Sequence, residues 1–436
     1  MKKIYLIILL LLSFPIGRAF AQDTLTLQES IDLALENNYE VKNADLEVSA
    51  AHQFKKAGFT RYFTNVAAGG IKLKAEKPLM EFGSHGSSMG FLEKGTIGYL
   101  NAVQPIFTGG EIINKNKLAG VSEDASKYKR SITKDDIVIQ TEEQYWQIVS
   151  LEEKQKTLAA YKQMLSSLFK QVEDAYNAGV VMKNDVLKVQ LKRSEVLLNE
   201  SKLKNATQLA KMAFCRQLGL PLNTEIVLQD TLVINGTPQS LYVDNAQVLE
   251  DRDEYKLLAL SVRAEKLQTR LTWSEYLPQV AVGASYQYLK FDDADGRSIG
   301  VVYGTVSIPI SEWWGGSHEL KRRKQEEKIA QNNFSDSSRR LLLQMKKAWQ
   351  DLTDAYTQYQ LSEESRQQAE ENMRVNQDSY DNGLITVSDL LDARALLQQT
   401  QDQLTDAKSN YLVRQSGYLQ VTGRLSEEVP SLADSE

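Results

Sequence analysis

A single cysteine, Cys215, in 436 residues excludes an internal disulfide framework. The three histidines, His52, His85 and His318, lie far apart, and none has a metal-ligating partner three or four residues away. Prolines number only eight, so long stretches can run helical without interruption. Basic residues are not in excess either. With 57 acidic against 51 basic side chains the net charge is −6, which argues against a nucleic-acid partner. After the first residues no run of about 18 apolar positions occurs, so no membrane-spanning helix is predicted and any entry into a membrane must use strands. Gly90 to Gly95 has the spacing of a phosphate loop, but Thr96 stands where its lysine is required. No Ser-His-Asp order or paired catalytic acids stand out, so the expectation is a non-enzyme with no cofactor and no metal.

What the chain does have begins with an address. Lys2 and Lys3 precede an apolar run from Ile4 to Ile16, and Ala19-Phe20-Ala21 has the form of a cleavage site, so residues 1–21 read as a secretory signal. Gln22 rather than Cys follows, which predicts an exported chain without lipoprotein acylation.

The strongest internal signal is a turn that occurs twice. Tyr380-Asp381-Asn382-Gly383-Leu384 reads as a helix stop, with Gly383 supplying left-handed φ and Leu384 covering the last turn. Thr386-Val387-Ser388-Asp389 then has the form of a capping box that starts a new helix. Tyr176, Gly179, Asp185 and Leu187 match Tyr380, Gly383, Asp389 and Leu391 at one constant offset, as do Pro105 and Pro309. Glu36, Tyr62 and Val66 match Glu250, Tyr276 and Val280 at a second, slightly longer one. The chain is therefore divided into residues 22–230 and 231–426, two repeats of one plan, with a tail at 427–436. Each repeat reads as helix, β-hairpin, long helix, turn and helix.

In the first repeat the plan predicts a helix from Leu25 to about Gly58 and strands over Tyr62–Lys74 and Thr96–Phe107, with a loop around Gly83–Gly90 between them. A helix to Tyr176 and another over Asp185–Leu218 follow. In the second it predicts helix Ala246–Trp273, strands Gln279–Leu289 and Ile299–Ile308, a helix from Gly315 to Asp381 and a last helix over Val387–Gly423. Each long helix, about 65 residues, reaches on the order of 100 Å. Leu158, Tyr161, Leu165, Leu168, Val172 and Ala175 form one seam. Leu390, Leu397, Leu404, Tyr411 and Tyr418, each followed three positions later by Ala393, Thr400, Ala407, Arg414 or Val421, form another. Both are packing stripes. Cys215, beside Phe214, reads as a small buried residue. In the strands, Gln279, Ala281, Gly283, Ser285 and Gln287 alternate with Val280, Val282, Ala284, Tyr286 and Tyr288, as in a membrane barrel or an ordinary half-buried sheet. The export signal and the length of the helices favour the barrel. Four strands cannot close one, so several chains must contribute.

With its signal, its two matching halves and its paired Tyr-x-x-Gly-x-x-x-x-x-Asp turns, the whole mature chain resembles the TolC-type outer-membrane efflux family. The start Leu25-Thr26-Leu27-Gln28-Glu29 and Ala34-Leu35 add to the likeness. The fold this implies is mixed α and β, mainly α: a periplasmic coiled-coil helical barrel under a transmembrane β-barrel built from four strands per chain. The resemblance implies a homotrimer in outer-membrane lipid, docked through a periplasmic adaptor to an inner-membrane transporter. It would be the exit duct of a tripartite pump or a one-step secretion system, with the turns at its periplasmic end. There Asp389 and Asp392 match the family's acidic ring, while Asp185 and Tyr380 match residues that hold the entrance shut. Where such members carry an assisting basic residue, this chain has Ile385. Two readings stand for each acid: Asp389 as helix cap or pore lining, and Asp392 as surface acid or pore lining. A periplasmic coiled-coil adaptor without a barrel is the alternative for the whole chain.

Overall fold

The computed structural model describes residues 24–77, 80–82, 89–91, 94–291 and 295–425. The signal segment, the 427–436 tail and most of the Gly83–Gly90 loop lie outside these residues.

The first half runs β1 (Thr24–Leu25), α1 (Leu27–Asn37), α2 (Tyr39–Phe59), β2 (Asn65–Lys74), β3 (Met80–Phe82), β4 (Met89–Phe91), β5 (Lys94–Thr108), α3 (Glu111–Asn177), α4 (Lys183–Gln217) and β6 (Val227–Leu228). The second runs α5 (Asn245–Val248), α6 (Asp253–Ser274), β7 (Gln279–Phe291), β8 (Arg297–Ser307), α7 (Trp313–Asp381) and α8 (Val387–Val421). Both long helices form over nearly the predicted spans, 67 and 69 residues. Along α7, Arg322, Arg366 and Arg374 each pair with acids three or four positions before and after them. These pairs are individually weak but keep an exposed helix supplied with partners.

Two predicted helices are broken. The first stops at Asn38, whose side-chain amide donates to the Gln217 carbonyl (3.0 Å) while its oxygen accepts from the Glu40 amide (2.8 Å). Asn38 thereby caps the start of α2, and its own amide bonds back to the Ala34 carbonyl at the end of α1. The second break, at Leu249–Arg252, separates α5 from α6 and buries Arg252.

The chain divides into two compact units, each drawing on both halves of the sequence. One comprises residues 1–43, 132–252 and 342–436, and the other 44–131 and 253–341. In the first unit the predicted seams are buried. Leu158, Tyr161, Leu165, Leu168 and Val172 pack with Val189, Val196, Met373, Val387, Leu390 and Leu391 in one cluster. Tyr411, Tyr418 and Val421 pack with Met345, Leu352 and Ala355 in another. Arg414, in the same stripe, is exposed. Cys215 is buried beside Phe214. The Tyr145 hydroxyl donates to the Asp230 carboxylate (2.8 Å) and lies 3.0 Å from the Leu25 carbonyl, fastening the short parallel β1–β6 pair beneath α1.

The second unit carries the antiparallel sheet β2-β5-β7-β8. Its register puts Val66, Leu100, Ala102, Tyr286, Val302 and Val306 on one face. Asn101, Ser285 and Gln287 lie on the other, where Ser285 donates to Asn101 (2.6 Å) and Gln287 to Ser285 (3.3 Å). Side chains of the apolar face are left open: Val302 is 85% exposed and Tyr286 56%. Gly69 and Gly283 sit under the rings of Tyr99 and Tyr303, where a Cβ would come within 2.5 Å. Among the described residues, strands β2 and β8 are the unpaired edges of this sheet. Below the sheet, the nearly buried Glu123 carboxylate of α3 accepts from Lys55 (2.6 Å) and His52 (2.8 Å) of α2. Those bonds, Lys55 first, hold its pKa down to about 2.

Candidate functional site: the paired helical turns

The two turns share one backbone. Gly179 and Gly383 take φ of +74° and +71°. The Val180 amide bonds to the Ala175 carbonyl and the Leu384 amide to the Ser379 carbonyl, both at 2.9 Å. Gly179 and Gly383 bond to the Tyr176 and Tyr380 carbonyls, again at 2.9 Å, completing a Schellman closure. A Cβ at either glycine would meet nothing within 4 Å, so the requirement for glycine is one of φ alone. Leu384 departs from the expectation. It is 76% exposed, alongside Val180 at 77% and Met182 at 76%, and covers no helix turn within the chain.

The following helices start differently. Thr386 accepts from the Asp389 amide (3.3 Å), while the Asp389 carboxylate accepts from the Thr386 amide (2.9 Å) and hydroxyl (2.7 Å). The capping box is thus formed. Thr386, and to a smaller degree the charge of Lys188, holds the Asp389 carboxyl below the usual range. At the first turn the cap position is Met182, which has no side-chain acceptor to offer.

Around these starts α4 and α8 pack through Val189, Val387 and Leu390. Lys188 Nζ lies 3.7 Å from Asp185 Oδ1. Tyr380 is half-buried, and burial first, then the charges of Asp185 and Asp381, push its hydroxyl up. Asp185 and Tyr380 are therefore neighbours, although among the described residues no hydrogen bond joins them. Asp392 is exposed, one turn beyond Asp389. Its charge reaches Tyr161, whose hydroxyl is pushed up to about 12, by burial first and then by Glu195. The Tyr161 hydroxyl and Arg394 Nε are buried without a hydrogen-bond partner among the described residues. Sequence reasoning did not find this pair. Only the place of Tyr161 in the α3 seam pointed to it.

Paired long helices, a twice-built turn and a four-stranded sheet are the features by which the chain can be compared with known folds. Residues 246–424 match the family model described as outer membrane efflux protein. A search of curated protein sequences gave no match. The fold is that of the CmeC outer membrane channel of Campylobacter jejuni, with TM-score 0.79 at 15% identity over 93% of this chain and 89% of that one. VceC, an outer membrane protein of Vibrio cholerae, superposes with TM-score 0.75 at 17% identity over 91% and 96%. The open state of the MtrE outer membrane channel of Neisseria gonorrhoeae does so with TM-score 0.75 at 15% identity over 92% and 89%. The resemblance carried by the paired turns thus agrees with both the family match and the fold.

Proposed function

We propose that the protein is a passive exit duct in the outer membrane, a homotrimer whose periplasmic end is formed by the paired turns and gated there. The observation that carries this reading is the sheet. Its apolar face is exposed and, among the described residues, its two edges are unpaired, so it is neither a core sheet nor a closed barrel, and lipid does not tolerate bare edges. Edges on neighbouring copies that run antiparallel would satisfy each other. The likeness to CmeC and MtrE supports the same architecture. A periplasmic adaptor and an inner-membrane transporter would supply cargo and energy, and the exposed Val180, Met182 and Leu384 give the turns an apolar surface for such a partner.

In this reading Asp389 and Asp392 from each copy face the entrance, and Asp185 with Tyr380 holds it closed. Repulsion among the carboxylates is relieved by cations, so the pore favours cation passage. Purified protein in planar bilayers is expected to conduct with cation preference and to be blocked by multivalent cations from the periplasmic side. Asp389→Ala with Asp392→Ala weakens both effects, whereas Asp185→Ala raises conductance. Unchanged preference and block in the double variant would remove the gate. A stable inserted monomer in detergent cross-linking would remove the architecture.

A further inference from the structure

The four strands of the large sheet hold five charged side chains, Lys72, Lys74, Lys94, Lys290 and Arg297, and no carboxylate. All five lie at the hairpin end, away from the helices that lead into and out of the sheet. The register brings four of them together. Lys74 pairs directly with Lys94, while Lys72 and Lys290 flank Thr96 from the strands on either side. These four lysines are exposed and line one shallow cavity of about 390 Å³. Among the described residues no ion pair engages Lys72, Lys74 or Lys290. Like charges opposed across a ladder destabilise it, and an anion between them removes that cost.

The lysines share the face that carries Leu100, Tyr286, Val302 and Val306. On that face of β7 the last aromatic ring is Tyr288, two residues and about 7 Å short of Lys290. Past this row the apolar side chains change sides. Ile71, Leu73, Ile97, Leu289 and Phe291 lie on the opposite face, where Gly95 fits between Leu73 and the Phe291 ring. Arg297, paired with Leu289, is on that face as well. A strand end that is merely wet would mix both signs over both faces. Here charge of one sign gathers on one face, at the limit of its apolar band.

We infer that this lysine cluster binds the phosphates of a lipid headgroup at the outer rim of the sheet. Basic side chains just past an apolar, tyrosine-bearing band are what a protein offers to anionic headgroups. Ammonium groups hold phosphate as point charges, and four of them on one patch suit a headgroup with more than one phosphate. A soluble anion would meet the same charges but would gain nothing from their place beside Tyr288 and the apolar face. The inference rests on the proposed reading that the sheet lies in the membrane with its hairpins outward. On that reading the ligand is a phosphorylated glycolipid of the outer leaflet.

Full-length protein in detergent is incubated with diphosphorylated lipid A, monophosphoryl lipid A or phosphatidylethanolamine, and native mass spectrometry reads the lipid retained. Retention is expected to fall in that order. Lys74→Gln with Lys94→Gln should weaken retention of the diphosphorylated form by about tenfold or more, as should Lys72→Gln with Lys290→Gln. Lys74→Arg with Lys94→Arg should preserve it, which separates lost charge from a damaged sheet. Arg297→Gln, on the opposite face, leaves it unchanged. Equal retention of the three lipids by the wild type, or undiminished retention in either Gln pair, overturns the inference. So does release of the lipid by millimolar inorganic phosphate, which assigns the lysines to a free anion. Loosening of the assembly by the Gln pairs with unchanged lipid overturns it in favour of a contact between copies. Wild-type protein that fails to fractionate with outer membranes defeats the membrane reading instead. Outer-membrane protein without lipid preference defeats only this site.

Discussion

Gly179 and Gly383 close their helices with φ of +74° and +71° and the same 2.9 Å return bonds, but Met182 follows the first and Thr386 the second. One turn ends in a helix with no side-chain cap and a lysine, Lys188, one turn inside. The other ends in a reciprocal Thr386–Asp389 box with an acid, Asp392, at the matching place. The backbone of the motif is thus carried by glycine and main-chain bonds, which both copies keep. The side chains around it are free to diverge. The copy that carries the proposed acids is also the one whose helix start is held in place.

The largest effect should come from what the turns share. Gly179→Val and Gly383→Val each force a β-branched residue into left-handed φ, at a cost of about 1–2 kcal/mol. Both should lower the denaturation midpoint by similar amounts, since neither site has a steric clash to add. A variant that is silent at one turn would break the equivalence. Next comes the cap: Thr386→Ala should lose about 1 kcal/mol in the same assay, and Met182→Thr should recover part of that amount at the first turn. Equal insensitivity at both positions would mean that the cap is not what separates them.

A smaller difference should appear with pH. The Asp389 carboxyl is held below its ordinary range by Thr386, so its contribution is complete above that range and is lost as pH falls through the lowered value. Wild type and Asp389→Asn should therefore differ at neutral pH and converge in acid. Divergence in acid would reverse the sign. Smallest of all, Lys188→Gln should raise the Asp389 titration slightly in an NMR pH series, and added salt should erase that shift.

Much of the fold was legible because its signals are local. Glycine stops, the Thr386–Asp389 start and the absence of proline locate the long helices to within a few residues. Strand alternation gave the two faces of β7, while the glycines Gly300 and Gly304 blurred the pattern in β8. The break at Asn38 was not legible, since the bond that holds it runs to the carbonyl of Gln217, far along the chain. The two-residue β1–β6 pair is too short to leave a pattern. Leu384 was assigned to the last helix turn on local grounds, and its exposure shows that no such contact forms inside one chain. At the site, the capping role of Asp389 was written in four adjacent residues. The surroundings of Asp392, Tyr161 with its unpaired hydroxyl and Arg394, come from two helices and have no motif.

The order of the strands also governs when the protein can fold. Pairing of β5 with β7 joins Thr108 to Gln279, closing on the order of 170 residues of intervening chain. The β2–β5 hairpin can form early, but two strands alone are marginal in water. Until β7 has emerged, β5 presents a bare, largely apolar edge, and such edges recruit other chains. Nascent chains are therefore most vulnerable to aggregation between synthesis of the first hairpin and arrival of the second, a slow, high-contact-order interval in which a holding chaperone has the most to protect.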